Sequence, residues 1–171
     1  MTIYSLITAP NPLLKSVSEP VTKVDKELQI YLDDLLETMY HESGAGLASI
    51  QVGIPKRIMV IDVGHRDVEN RPDPHFFINP EIVWYSEEPQ IYPEGCLSFP
   101  GGYLEISRPK TVRVRYLDYD GTEQEKEVTD WMARAVQHEL DHLNGIVLID
   151  HVSKLKADML MKKVIKFVKN K

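Results

Sequence analysis

The seven residues Gln137-His138-Glu139-Leu140-Asp141-His142-Leu143 constrain this chain most, because they set an H-E-x-x-H pattern in a run that reads as helix. Four residues advance an α-helix by about 400° and raise it about 6 Å, so His138 and His142 share a face one turn apart. Both imidazoles can then reach one metal ion. Glu139 lies about 100° round from His138, near enough to touch a metal-bound water without joining the coordination, which is where a general base belongs. A catalytic site of this kind needs a third protein ligand from another segment and one open position. The bare pattern also arises by chance on helices, so the remaining ligand has to be found elsewhere in the chain.

The extended pattern H-E-x-x-H-x-x-G-x-x-H matches through Gly145 and then has Leu148 in place of the last histidine. The other common source is a glutamate on a later helix, and no glutamate follows Glu139. Asp150 and His151 remain open in principle. Cys96, the single cysteine of the chain, has the stronger metal chemistry and is taken as the third ligand. One cysteine makes no internal disulfide, which leaves its thiol free for a metal and fits a reducing compartment. A cytoplasmic protein is expected.

A length of 171 residues suits one domain, with residues 1–152 as its body and 153–171 as a basic C-terminal helix. With 43% hydrophobic and 27% charged residues the composition is that of a soluble globular protein. No apolar run approaches the ~20 residues that span a bilayer, so no membrane association is expected. The stretch from Met1 to Pro10 lacks the basic start and long apolar run of a secretory signal, and the mature protein is expected to begin near Met1. Residues 153–171 carry seven lysines and one aspartate, net +6, which leaves −12 on the rest of a chain of net charge −6. Lysines at 154, 156, 162, 163, 166 and 169 alternate with Leu155, Met159, Leu160, Val164, Ile165 and Val168 as in a basic amphipathic helix. Such a helix ordinarily packs one face and solvates the other. The charge asymmetry adds the expectation that it docks on a polyanion, with no direct DNA binding.

Pro10, Pro12 and Pro20 mark residues 1–23 as an extended, wrapping arm. Leu28, Tyr31, Leu32, Leu35, Leu36 and Met39 predict a helix from Asp25 to His41, with Asp25 as N-cap and Gly44 in the left-handed position past its end. Arg57 to Val63 reads as a strand, 64–74 as a charged surface loop, and His75 to Ser86 as two short strands interrupted at Asn79-Pro80. Thr111 to Tyr119 alternates up to Asp120-Gly121 and returns near Glu123 to Val128, an antiparallel hairpin. Thr129 or Asp130 caps the H-E-x-x-H helix, which stops at Asn144-Gly145. Trp131, Arg134 and Ala135 precede His138 by seven, four and three positions, so they share its face and should line any pocket beside the metal. The predicted class is α+β, with antiparallel sheets packed around the central H-E-x-x-H helix and a helix at the C-terminus.

Three separated motifs, Gly44-Ala45-Gly46-Leu47-Ala48-Ser49-Ile50-Gln51, Glu94-Gly95-Cys96-Leu97-Ser98 and Gln137-His138-Glu139-Leu140-Asp141-His142, occur in an order that resembles the peptide deformylases of bacterial type with a helical C-terminus. The similarity runs over essentially the whole length. Ser49 departs from it, standing where that family usually has a second alanine, a change expected to touch packing more than chemistry. The resemblance implies hydrolytic removal of the formyl group from formyl-methionine at the N-terminus of newly made polypeptides, with release of formate. It also implies that the Gln51 amide, otherwise an ordinary polar loop residue, donates to the substrate carbonyl oxygen as negative charge develops, assisted by the Leu97 N–H. The peptide would lie as an added strand against Ala45, Gly46 and Gly95. Fe(II) would be the metal, although a thiolate and two imidazoles also suit zinc, nickel or cobalt. A Glu94–Arg108 ion pair would support the Cys96 segment, and Arg134 stands where some members have an apolar residue. The polyanion would be the ribosome near the nascent-chain exit, in a bacterium or an organelle.

Overall fold

A computed structural model describes all 171 residues. The Asp25 carboxylate accepts from the Leu28 N–H at 2.9 Å and so starts α1 (Lys26–His41). The stripe Leu28, Leu32, Leu35 and Met39 is buried against Leu47, Ile58, Val60 and Ile78. Past the end of α1 the left-handed residue is Ser43, at φ 57°, and not Gly44 as the sequence suggests. Gly44 is small for a different reason. A Cβ there would come within 2.8 Å of Leu97 Cδ1, so the glycine lets the first motif pack against the second.

Seven strands follow: β1 (Gly46–Ala48), β2 (Ile58–Ile61), β3 (His75–Tyr85), β4 (Pro89–Cys96), β5 (Phe99–Pro109), β6 (Thr111–Leu117) and β7 (Glu123–Thr129). Five form an antiparallel sheet in the order β1-β2-β3-β6-β7, and β4 and β5 form a separate ribbon. Asn79-Pro80 does not break β3 in two. The register shifts there around Asn79 at φ 52°, a bulge, and the freed side-chain amide accepts from Val21 N–H at 2.8 Å and donates to Val21 C=O at 2.9 Å. That bulge straps down the N-terminal arm. Elsewhere the arm donates from Thr2 to Asp34, from Ile7 to the Gln51 carbonyl, from Ala9 to the Ser98 carbonyl and from Ser18 to the Leu143 carbonyl. It therefore ties α1, the Gln51 turn and the Cys96 hairpin to the end of the H-E-x-x-H helix.

That helix is α2 (Asp130–Leu143). Ala133, Val136, Leu140 and Leu143 pack it against Ala48, Met59, Ile61, Phe77, Val112 and Val114, and burying each large side chain contributes roughly 1.5–3 kcal/mol. Thr129 takes the N-cap position as predicted, but its side chain makes no capping bond. The Thr129 hydroxyl bonds Thr111 Oγ1 at 2.9 Å, and the Asp130 N–H donates to the Lys110 carbonyl at 3.0 Å from a backbone with φ 55°. The helix stops at Asn144 and Gly145, whose φ of 72° and closeness to the Lys15 carbonyl both require glycine. Finally α3 (Lys154–Lys169) lies on β5 with Leu160 and Val164 buried beside Phe99, Leu104 and Ile106. Its Leu155, Met159, Ile165, Phe167 and Val168 are exposed. No helix is long and apolar enough to cross a membrane.

Candidate metal centre

The β4–β5 hairpin turns tightly at its end, with Glu94 paired to Leu104, a register shift at Gly95, and Cys96 paired to Phe99. The shift turns the Cys96 thiol onto α2. Sγ of Cys96 and Nε2 of His142 lie 3.3 Å apart, and one ligand atom each from Cys96, His138 and His142 fall within 4.8 Å of one another. Bonds of 2.0 to 2.3 Å in a tetrahedron separate such atoms by roughly 3.3 to 3.6 Å, so the group fits one ion. The other candidate ligands are occupied elsewhere. Asp150 pairs with Lys15 at 2.7 Å, and His151 pairs with Asp141 at 2.7 Å.

His138 Nδ1 donates to Glu94 Oε1 at 3.0 Å, which orients the ring with Nε2 towards the thiol, the carboxylate–histidine arrangement that supports metal ligands. Glu94 is in turn gripped by Arg108 through bonds of 2.7 and 3.0 Å, and Arg108 also reaches Asp141 at 3.0 Å. Both partners of the expected ion pair are buried. Burial pushes the Glu94 carboxyl up, but hydrogen bonds from His138 and Arg108 outweigh it and hold it at about 2. Burial, then the His138 and Arg108 charges, keep His142 well below the ordinary histidine range, so it is neutral and ready to ligate. Burial also pushes His138 down, yet its bonds to Cys96 and Glu94 leave it well above that range. A metal ion bound at this ring nitrogen would have to displace that proton.

Glu139 is buried, and Oε2 has no hydrogen-bond partner. Desolvation is the main cause that raises its carboxyl to about 7, with Glu94 and Asp141 adding to it and His138 and Arg108 opposing. Gly46 makes room for it, since a Cβ would sit 2.6 Å from Glu139 Oε1. Gln51 is held in the 3-10 turn Ser49–Val52. Its Oε1 accepts from Ala48 N–H at 2.9 Å, and its Nε2 donates to Ser98 Oγ at 3.0 Å and lies 3.7 Å from Cys96 Sγ. The bonded carbonyl assigns the NH2 end to the metal side. Ser49 is explained by its hydroxyl bond to Tyr31, which an alanine would leave unmade.

A cleft of about 930 Å³ runs past these groups, lined by Gly46, Gln51, Cys96, His138 and Glu139 together with Ala45, Gly95, Leu97, Trp131, Arg134 and Ala135. His142 lies buried behind it. All the sequence-predicted residues thus converge on one place. The Arg134 guanidinium stacks 3.9 Å over the Tyr92 ring, with its Nε buried and unpartnered. Sequence reasoning misses Ser98, Tyr92, Tyr103, Phe167 and Val168. The strands containing Tyr92 and Tyr103, β4 and β5, are hidden by prolines, and no local spacing signals that α3 reaches the cleft.

A family model described as polypeptide deformylase matches residues 3–158. A peptide deformylase of Mesorhizobium japonicum is 52% identical over 171 residues, covering 100% of this chain and 96% of that one. One from Rickettsia akari is 46% identical over 173 residues, covering 99% of each. Among solved structures, the peptide deformylase of Ehrlichia chaffeensis in complex with actinonin superposes with a TM-score of 0.91 at 43% identity, over 97% of this chain and 98% of that one. A plant peptide deformylase reaches a TM-score of 0.89 at 29% identity, over 99% and 91% of the two chains.

Proposed function

The chain belongs to the polypeptide deformylase family, hydrolases acting on N-formyl amides, and on that premise we propose how its residues divide the removal of the formyl group from new polypeptides. The observation that carries the reading is the placement of a donor, Gln51 Nε2, and a buried acceptor, Glu139 Oε2, on one Cys96–His138–His142 group. A divalent metal held by those three side chains would supply Lewis acidity, making a bound water acidic enough to ionise near neutral pH and polarising the formyl oxygen. Glu139 takes the proton from the attacking water at Oε2 and returns it to the departing amine nitrogen. Burial favours the protonated carboxyl, so a group that has taken the proton can hold it until the amine departs and thus serve both steps. Gln51 Nε2 and the Leu97 N–H donate to the formyl oxygen as it gains negative charge, and removing one such donor typically costs roughly 3 to 4 kcal/mol. Formate and a free amine result.

Ala45 and Gly46 border β1, the edge of the five-stranded sheet, and Gly95 belongs to β4, whose one neighbour is β5. A peptide between these two edges would gain main-chain bonds that do not depend on its sequence. Trp131, Arg134 and Ala135 then receive the first side chain. The native metal in this reading is Fe(II), with zinc, nickel or cobalt able to occupy the same soft donor set. Lys162, Lys166 and Lys169 project from α3 in the company of exposed Leu155 and Met159, a surface suited to the ribosome in the cytoplasm.

Mass spectrometry of formyl-Met-Ala-Ser and of the same peptide without formyl tests the reaction class. Loss of the formyl group alone supports it. Cleavage within the unformylated peptide would move the assignment to an endopeptidase.

A further inference from the structure

His151 Nε2 donates to Asp141 Oδ2 at 2.7 Å, and that same oxygen accepts from Arg108 Nη1 at 3.0 Å. The bond opens an unbroken row. Arg108 turns its Nε and Nη2 to the two oxygens of Glu94, at 2.7 and 3.0 Å, and Glu94 Oε1 accepts from His138 Nδ1 at 3.0 Å. Side-chain exposure falls from 28% at His151 to 6% at Arg108, so the row begins in solvent and runs inward to the Cys96–His138–His142 group. The deformylation chemistry does not use His151. Its backbone is fixed independently of Asp141, because it ends the 3-10 turn Leu148–His151, whose Asp150 accepts from the Val147 N–H at 2.9 Å and pairs with Lys15 at 2.7 Å. Leu148 of the same turn is buried in the cluster that holds Leu104 and Ile106.

We propose that His151 is a positioning residue for the metal centre, setting the angle of the His138 ring through Asp141, Arg108 and Glu94. The proposal rests on the reading of Cys96, His138 and His142 as one metal site and reaches a residue outside it. A guanidinium is planar and presents its N–H groups in a rigid fork. Where Asp141 stands therefore fixes the plane in which Arg108 meets Glu94. Asp141 Oδ2 takes both bonds and its side chain is 21% exposed, so without His151 the carboxylate can rotate towards water and draw Arg108 Nη1 with it. Glu94 then meets His138 at a poorer angle, and Nε2 of that ring turns away from the Cys96 thiol. Removing a group that orients a ligating histidine typically costs roughly 10- to 100-fold in metal affinity. His151 stands further back in the row, and its loss belongs at the low end of that range.

Transfer of zinc from the zinc-loaded protein to excess 4-(2-pyridylazo)resorcinol tests this apart from catalysis. His151→Ala is expected to release zinc about tenfold faster than wild type, and His151→Gln, which carries an N–H near the place of Nε2, to stay within about twofold of it. His151→Asn, whose amide stops short of Asp141, should behave as alanine does and serves where alanine unsettles the turn. In an Asp141→Ala background the row is already cut, so the His151→Ala change should alter release by less than about twofold. A residue that merely packed the turn would act equally in both backgrounds. Release as slow as wild type from folded His151→Ala and His151→Asn, or an equal acceleration with and without Asp141, would overturn the proposal. Wild-type protein that binds no zinc is a different result, which removes the metal site and the positioning role with it.

Discussion

At the scale of single residues, the site trades stability for a buried, unpartnered carboxyl. Glu139 is buried, and burial raises its carboxyl to about 7 from the ordinary 4.5. The folded state therefore holds a proton that the unfolded chain gives up, so stability from this group is full below pH 4.5 and is lost as pH rises through 7. Glu139→Gln keeps the neutral shape at every pH. In metal-free protein at about pH 8.5 it should be more stable than wild type by up to about 3 kcal/mol, and equal to it near pH 4, in urea unfolding. Gly46→Ala probes the same group from the other side. A Cβ 2.6 Å from Glu139 Oε1 pushes the carboxylate aside, and because a shift of about 1 Å can cost on the order of 100-fold, kcat should fall about that far with metal content unchanged. The convergence of Cys96, His138 and His142 was legible at this scale because helix geometry ties His138 to His142 and the chain has one cysteine. Gln51 was legible only through the family motif. The exposed roles of Tyr92 and Phe167 were not, since they depend on neighbours far along the chain.

Among elements, the decisive joint is between the β4–β5 ribbon and α2, where Arg108 holds Glu94 and Asp141 together behind His138. Glu94 is ionised down to about 2, so this joint contributes stability above pH 4.5 that is lost as acid approaches 2. Arg108→Met removes the cation that Glu94 and Asp141 share and leaves each with only a histidine partner. It should cost about 3 to 5 kcal/mol in unfolding experiments and lower the metal content, because His138 loses its orientation as well. Wild-type stability and metal loading in that variant would mean that the network is ornamental. The helices and the β6–β7 hairpin followed from periodicity and a turn signal. The ribbon did not, because Pro89, Pro93, Pro100 and Pro109 obscure an alternation that surfaces at Leu104 and Ile106. Ser43 likewise took the left-handed position because the neighbouring glycine was needed for its lack of a side chain.

Over the whole molecule, charge and core are divided between the same two parts. The acidic body carries the chemistry, and the basic α3 completes one of three apolar clusters with Leu160 and Val164. Deleting α3 would therefore expose Phe99, Leu104 and Ile106 and confuse any test of its surface. Charge reversal is cleaner. Replacing Lys162, Lys166 and Lys169 by glutamate should reduce ribosome pelleting, and added salt should weaken pelleting of the wild type, since exposed charges are screened over about 8 Å at physiological ionic strength. Unaltered pelleting in both cases would assign α3 to packing and to the cleft alone. The most direct measurement is anaerobic formate release from formyl-Met-Ala-Ser by protein of known metal content, beside Glu139→Ala at equal metal loading. One formate per peptide from wild type and almost none from the variant is the expected result; fully metal-loaded wild type that releases no formate would contradict the assignment of these residues to deformylation.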